Sequence, residues 1–252
     1  RQGSDRAIID WRGFSIAAGE TTRFIQPGAG SVALNRVTGG GISSLDGQLQ
    51  ANGHVFLVNP NGIVFGAGAR VDVGGLVATT ADIRNAAFLA GDYRFDIAAP
   101  EGSAIDNAGL INAGLVALVA PRVRNSGVIR AELGTVSLGA GQRFTLDLAG
   151  DGLIAFDAGS AGSAAAVEQA GHVAGGTVLL SAATAARVVD NVIDMSGIVE
   201  ARSARMEGGD IILDGGQGAI AVTGTLDASG AAGGGSIRVG TTATSHLDVG
   251  AQ

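Results

Sequence analysis

The segment Asn107-Ala108-Gly109-Leu110-Ile111-Asn112-Ala113 returns as Asn125-Ser126-Gly127-Val128-Ile129-Arg130-Ala131, an offset of 18 residues. Looser returns follow at Ser196-Gly197-Ile198-Val199-Glu200-Ala201 and Thr223-Gly224-Thr225-Leu226-Asp227-Ala228. A second unit recurs as Gly175-Gly176-Thr177-Val178-Leu179-Leu180, Gly208-Gly209-Asp210-Ile211-Ile212-Leu213 and Gly234-Gly235-Ser236-Ile237-Arg238-Val239. Self-similarity at roughly 18 to 33 residues marks a solenoid, because one such unit cannot bury its own apolar face and must stack on its neighbours. The runs are short, rich in β-branched residues and closed by glycine turns, with no helical pattern between them. This predicts an all-β chain folded as a right-handed parallel β-helix rather than βαβ units. At about 20 to 25 residues per coil, on the order of ten coils spaced about 4.8 Å apart give a rod roughly 50 Å long.

Composition agrees with an elongated chain. There are 43 glycines but only 4 prolines, and no collagen-like period, so the glycines punctuate many short elements. The 46% apolar content is almost all aliphatic, with 4% aromatic residues, as a thin core between stacked strands requires. A net charge of −7, with every basic residue an arginine, leaves no basic cluster for a phosphate backbone and argues against nucleic acid. The absence of cysteine removes disulfides and thiol chemistry. No apolar stretch approaches the roughly 18 residues of a transmembrane helix. The chain opens Arg1-Gln2-Gly3-Ser4, without an initiator methionine, and is read as a processed or truncated piece of a longer parent.

Taken in order, Ala7 to Trp11, Phe14 to Ile16, Thr22 to Ile25 and Val32 to Leu34 read as short strands. Trp11 is expected to pack as a core or end-covering residue. The run Val55 to Val58 reads as a buried strand stopped by Asn59-Pro60-Asn61-Gly62, after which Ile63-Val64-Phe65 starts another. Proline fixes φ and Asn-Gly tolerates a left-handed turn, so this tetrapeptide is a rigid corner whose asparagines can satisfy local backbone groups. Residues 81 to 90 hold the best helical candidate, with Ile83, Ala87 and Leu89 apolar and Asp82 as the cap. Residues Asp92 to Ile97 alternate as an edge strand would. Asn107 and Asn125 fall at the same turn of successive repeats, where stacked amides can form a hydrogen-bonded ladder along the axis.

Four segments together carry a family resemblance: Asn35-Arg36-Val37-Thr38-Gly39-Gly40, Ile42 to Leu49, Ala51-Asn52-Gly53 running into Asn59-Pro60-Asn61-Gly62-Ile63-Val64-Phe65-Gly66, and Val73 to Thr80. Over Arg6 to about Ile83 the chain resembles the filamentous-haemagglutinin type of two-partner secretion domain. A second Asn-Pro motif upstream, which some members carry, is absent. The resemblance implies a secretion domain over 1–100, with a few extra-helical strands or hairpins near this N-terminal part, and continuing β-helix repeats of an exoprotein fibre over 101–252. It further implies recognition in the periplasm by a cognate outer-membrane β-barrel transporter, export unfolded, nucleation of the β-helix at the cell surface, and a secreted or surface-displayed product. Asn59, Pro60, Asn61, Gly62 and Ile63 are the residues expected to matter for recognition or nucleation.

Two other classes stay open at this point. Open β-helix ends suit a structural or adhesive fibre module that associates head to tail, with a host or surface glycan or protein as its target. A carbohydrate-active enzyme would need paired carboxylates, and Asp190 with Asp194, flanked by Arg187 and Arg202, is the best local cluster. Solvated turn residues explain that cluster more simply, so no catalytic residue is assigned. His54, His172 and His246 lie far apart without metal-ligand spacing, and Gly208-Gly209-Asp210 is only a fragment of a calcium-binding repeat. No metal or cofactor is expected.

Overall fold

A computed structural model describes residues 1–148, 154–156, 165–183, 192–201, 209–230, 233–240 and 246–249. The chain winds through three parallel faces in a repeating order. The first face stacks Arg6–Trp11, Val32–Val37, His54–Val58, Gly75–Thr79 and Leu115–Ala120, then the later halves of Val128–Ala140 and His172–Ala182, then Asp210–Asp214 and Ser236–Val239. The second is an eight-stranded sheet from Ser43–Leu45 through Ile63–Phe65, Ala104–Asn107 and Arg122–Asn125 to His246–Val249. The third stacks Thr21–Phe24, Gln48–Ala51, Arg70–Val73 and Leu110–Ala113, then the early halves of the two long strands, then Ile198–Ala201 and Thr225–Asp227. All of these pairings are parallel, and the fold is the β-helix expected from the repeats. The second face gives eight levels among the described residues, against the order of ten expected.

The sequence repeats are levels of this stack. Asn107 lies opposite Asn125 and Leu110 opposite Val128, reproducing the 18-residue offset. Thr177 lies opposite Asp210, and Asp210 opposite Ser236, so the second repeat unit marks the corner from the third face to the first. Glycine is needed at these corners because successive coils nearly touch. A Cβ on Gly134 would lie 1.8 Å from the Gly114 carbonyl oxygen, and one on Gly127 would lie 2.3 Å from that of Gly109.

Two apolar cores result. The inner one runs along the axis through Leu49, Leu57, Ile63, Val71, Ile111, Val136, Val167 and Ile211. The second lies outside the first face, where Leu34, Phe56, Val77 and Val119 are covered by Ile83, Phe88, Tyr93, Phe95, Phe144 and Ile154. Strands such as His54–Val58 are therefore buried on both sides, which is why Val55 to Val58 is continuously apolar.

The outer cover is built from two insertions. One contains the helix Asn85–Ala90 and the strand Arg94–Phe95; the other supplies the hairpin Phe144–Leu146 and Ile154–Phe156. Arg94–Phe95 pairs with Phe144–Leu146 in an antiparallel three-stranded sheet and forms its edge, as the alternation of Asp92 to Ile97 suggests. Phe95 and Phe144 stack at 4.4 Å with 6° between their planes. The helix differs in detail from expectation. Its cap position is Arg84, without a side-chain cap bond, and its buried residue is Phe88, while Leu89 faces solvent. Asp82 is drawn away from capping by Arg36, as described below. Trp11 covers the end of the inner core, edge-on to Phe14 at 5.5 Å, with its indole N–H donating to Asn35 Oδ1 at 3.1 Å.

Candidate functional site

The corner from the first face to the second gathers three of the four motif segments on consecutive levels. Thr38 to Gly41 forms one level, Asn59 to Gly62 the next and Thr79 to Ala81 the third. Asn59 is the centre. Its side chain is fully buried, and its Nδ2 donates to the Gly41 carbonyl and to Ser43 Oγ, each at 3.0 Å. Its Oδ1 accepts from the backbone N–H and the side-chain amide of Asn61, both at 3.0 Å. Its own backbone N–H donates to Thr79 O at 3.0 Å. The amide thus satisfies groups on the level below while the backbone holds the level above.

Local chemistry dictates the rest of the corner. Gly62 N–H donates to Asn59 O at 3.1 Å, closing a β-turn with Pro60 at the position its fixed φ favours. Gly62 has φ +119, and a Cβ there would lie 3.2 Å from the Ala104 carbonyl oxygen, so the position is restricted to glycine. Gly62 O then accepts from Ser43 N–H at 3.0 Å, and Ile63 enters the inner core opposite Ser43 and Ile105. Asn61 is exposed, yet its Nδ2 reaches the Gly39 carbonyl at 2.8 Å. Ile42, 57% exposed, stands beside Gly62 as the apolar rim of the corner.

Arg36 ties the corner to the outer cover. Its Nε lies 2.9 Å from both carboxylate oxygens of Asp82, its Nη2 donates to Ile83 O at 2.6 Å, and its Nη1 reaches Asn85 Oδ1 at 2.8 Å and Asp10 Oδ1 at 3.3 Å. A planar guanidinium with five donors is suited to this convergence. The Ala51-Asn52-Gly53 start of the third segment forms a second clamp: Asn52 exchanges two bonds with the Gln26 backbone, at 2.8 and 2.9 Å, while Gln26 Oε1 accepts from Gly53 N–H at 3.0 Å.

Asn107 and Asn125 sit elsewhere, at the opposite end of the second-face strands. Asn107 lies opposite Phe65, its Nδ2 donates to Asn125 Oδ1 at 2.7 Å, and Asn125 Nδ2 donates to Gln169 Oε1 at 2.8 Å. All three amides are buried. Gln169 is a rung that sequence reasoning missed, although Gln169-Ala170-Gly171-His172-Val173 repeats the amide-x-Gly spacing of Asn125-Ser126-Gly127-Val128-Ile129. The roles of Asn35, Arg36, Gln26 and Ser43 were missed as well; three of these lie in the quoted motifs, and only the fold shows what they touch.

His54 is half-buried, its Nδ1 has no hydrogen-bond partner among the described residues, and burial pushes its pKa below the ordinary 6.5. Asp194 is exposed on the second face, whereas Asp190, Arg187 and Arg202 lie outside the described residues. Among the described residues no group of three His, Asp or Glu side chains is placed to hold a metal ion.

The chain is thus a three-faced parallel β-helix, sheathed on one side by an extra-helical helix and small antiparallel sheet and braced by an Asn-Pro-Asn-Gly corner. Residues 1–230 match the TPS secretion domain family, and the chain belongs to it. The structure is similar to the crystal structure of the HMW1 secretion domain from Haemophilus influenzae, with a TM-score of 0.68 and 26% identity, over 99% of this chain and 73% of that one. Two heme/hemopexin-binding proteins of Haemophilus influenzae are similar in sequence. One is 45% identical over 95 residues, 38% of this chain and 10% of that protein. The other, from strain ATCC 51907 / DSM 11121 / KW20 / Rd, is 38% identical over 149 residues, 56% of this chain and 16% of that protein. The chain thus spans a small part of these relatives. Domains of this family are non-enzymatic modules of exoproteins that pass through the periplasm to be secreted or displayed on the cell surface, with an outer-membrane transporter as the domain's partner.

Proposed function

We propose that this chain directs export of its exoprotein through the cognate outer-membrane transporter, and that the corner of Asn59, Pro60, Asn61, Gly62 and Ile63 nucleates the β-helix. The observation that carries this reading is the convergence of Thr38 to Gly41, Asn59 to Gly62 and Thr79 to Ala81 on adjacent levels, joined through the side chain and backbone of one buried residue, Asn59. These segments are close in sequence, so the corner closes short loops and can form before distant coils exist. The exposed rim of Ile42 and Asn61 lies within 1–100, the part we assign to transporter recognition, while 101–252 extends the rod. The folding unit reaches beyond residue 100, because Phe144 from the second insertion covers Phe95. An Asn59→Ala chain is expected to refold more slowly and to be released less in the presence of the transporter. Unchanged release and refolding would remove the assignment.

A second reading is favoured by the outer surface of the third face. Two open grooves of about 420 and 500 Å³ share Asp72, one lined also by Asn112 and Arg130 and the other by Arg23 and Gln50. Polar planar side chains in a shallow trough suit a glycan on the cell or host surface. Binding to a glycan panel that is lost in Arg130→Ala supports it, and no binding at millimolar glycan counts against it.

A further inference from the structure

Both Asn-Gly pairs of this chain, Asn52-Gly53 and Asn61-Gly62, sit in motif corners, and the fold engages every group that their characteristic side reaction requires. In that reaction the deprotonated backbone nitrogen of glycine attacks the asparagine Cγ. The new N–C bond closes a five-membered succinimide and ammonia leaves with the side-chain nitrogen. Water then opens the ring at either carbonyl, giving aspartate or isoaspartate. The small glycine leaves the nitrogen open to attack, so an unfolded Asn-Gly is the most susceptible pairing.

The folded chain blocks both requirements at both places. Gly62 N–H is held by Asn59 O at 3.1 Å, and Asn61 Nδ2 is held by Gly39 O at 2.8 Å and Asn59 Oδ1 at 3.0 Å. Gly53 N–H is held by Gln26 Oε1 at 3.0 Å, and Asn52 is clamped through both side-chain atoms to the Gln26 backbone. A held N–H resists deprotonation, and a side chain fixed on a partner cannot swing its Cγ over the following nitrogen.

The products would not fit the corner. An aspartate or isoaspartate at 61 presents oxygen acceptors to Gly39 O and Asn59 Oδ1, which are themselves acceptors. One at 52 presents an acceptor to Gln26 O. We propose that Asn61 and Asn52 are deamidation sites of the unfolded chain that folding locks, so that the time spent unfolded sets the fraction of chains able to rebuild the two corners. Reaction in the native state then proceeds only through local opening of each corner.

The test compares the purified chain incubated in mildly alkaline buffer with and without urea, followed by peptide mass spectrometry that separates aspartate from isoaspartate. Deamidation at Asn61 and Asn52 is expected in urea, and at least about tenfold more slowly in buffer alone. The urea-aged material, returned to buffer, is expected to leave its modified fraction in the unfolded pool. Equal rates in the two conditions overturn the locking. Full refolding of chains modified at residue 61 overturns the consequence for the corner. The rate comparison stands on the unaltered chain, and Asn61→Asp adds an independent check of refolding yield.

Discussion

Arg36 Nε lies 2.9 Å from both carboxylate oxygens of Asp82, joining the second residue of the first motif segment to the first residues of the outer insertion. The Arg36 side chain is only 13% exposed. Removing it strands a largely buried carboxylate and frees the Ile83 carbonyl and Asn85. Arg36→Ala is expected to destabilise by about 2 to 4 kcal/mol in urea unfolding. Arg36→Lys restores charge but not the fork of donors, and is expected to recover less than half of the loss. Full recovery by lysine would show that charge alone matters here.

The two asparagines of the corner are expected to separate in energy. Asn59→Ala leaves Ser43 Oγ, the Gly41 carbonyl and the Asn61 N–H without their buried partner, a loss of about 2 to 4 kcal/mol. Asn61→Ala removes bonds at an exposed position but, unlike aspartate or isoaspartate, sets no acceptor against the Gly39 carbonyl and Asn59 Oδ1, and is expected to lose about 1 kcal/mol or less. Equal losses measured by chemical denaturation would contradict the central place given to Asn59.

The amide ladder behaves as a unit. Asn125→Leu leaves Asn107 Nδ2 with only its long 3.5 Å bond to the Gly109 carbonyl and takes from Gln169 Oε1 its amide donor, about 2 to 3 kcal/mol of destabilisation. Replacing Asn107, Asn125 and Gln169 by leucine together removes donors and acceptors alike, beside Phe65 at one end and Met195 at the other. The triple variant is expected to lose clearly less than the sum of the three single losses. Additive losses would mean that the amides do not act through one another.

His54 makes stability depend on pH. Burial favours its neutral form in the fold, so the folded chain binds fewer protons than the unfolded one below the ordinary 6.5. Its contribution is complete above that value and is lost as pH falls through it toward the lowered folded value. The urea midpoint is expected to drop between about pH 7 and pH 5.5, with part of that drop absent in His54→Gln. Identical pH profiles for the two chains would remove His54 from the account.

The β-helix and its register were legible because the 18-residue return of Asn107 at Asn125 is a direct copy of the coil, and glycines recur where coils touch. The corner at Asn59 was legible for the same local reason: Pro60 and Gly62 have few permitted conformations. The partners were not. Ser43, Gly41 and Thr79 reach Asn59 only after winding, and no spacing rule encodes which carbonyl an amide will meet. Asp82 reads as a helix cap because cap preferences are local, but Arg36, 46 residues away in sequence, competes for it. The hairpin of the second insertion was hidden because Phe144 and Ile154 look like any short apolar run. Gly139 and Gly141 hold its seat open, where a Cβ would meet Ile154 and Phe156 at 2.2 and 2.3 Å.

The most direct measurement is release of this chain, delivered to the periplasm behind an export signal, with and without its outer-membrane transporter, for the unaltered sequence and for Asn59→Ala. The expected result is release that requires the transporter and falls in the variant. Release without the transporter, or release of Asn59→Ala at the unaltered level, would contradict a secretion domain whose corner at Asn59 starts the fold.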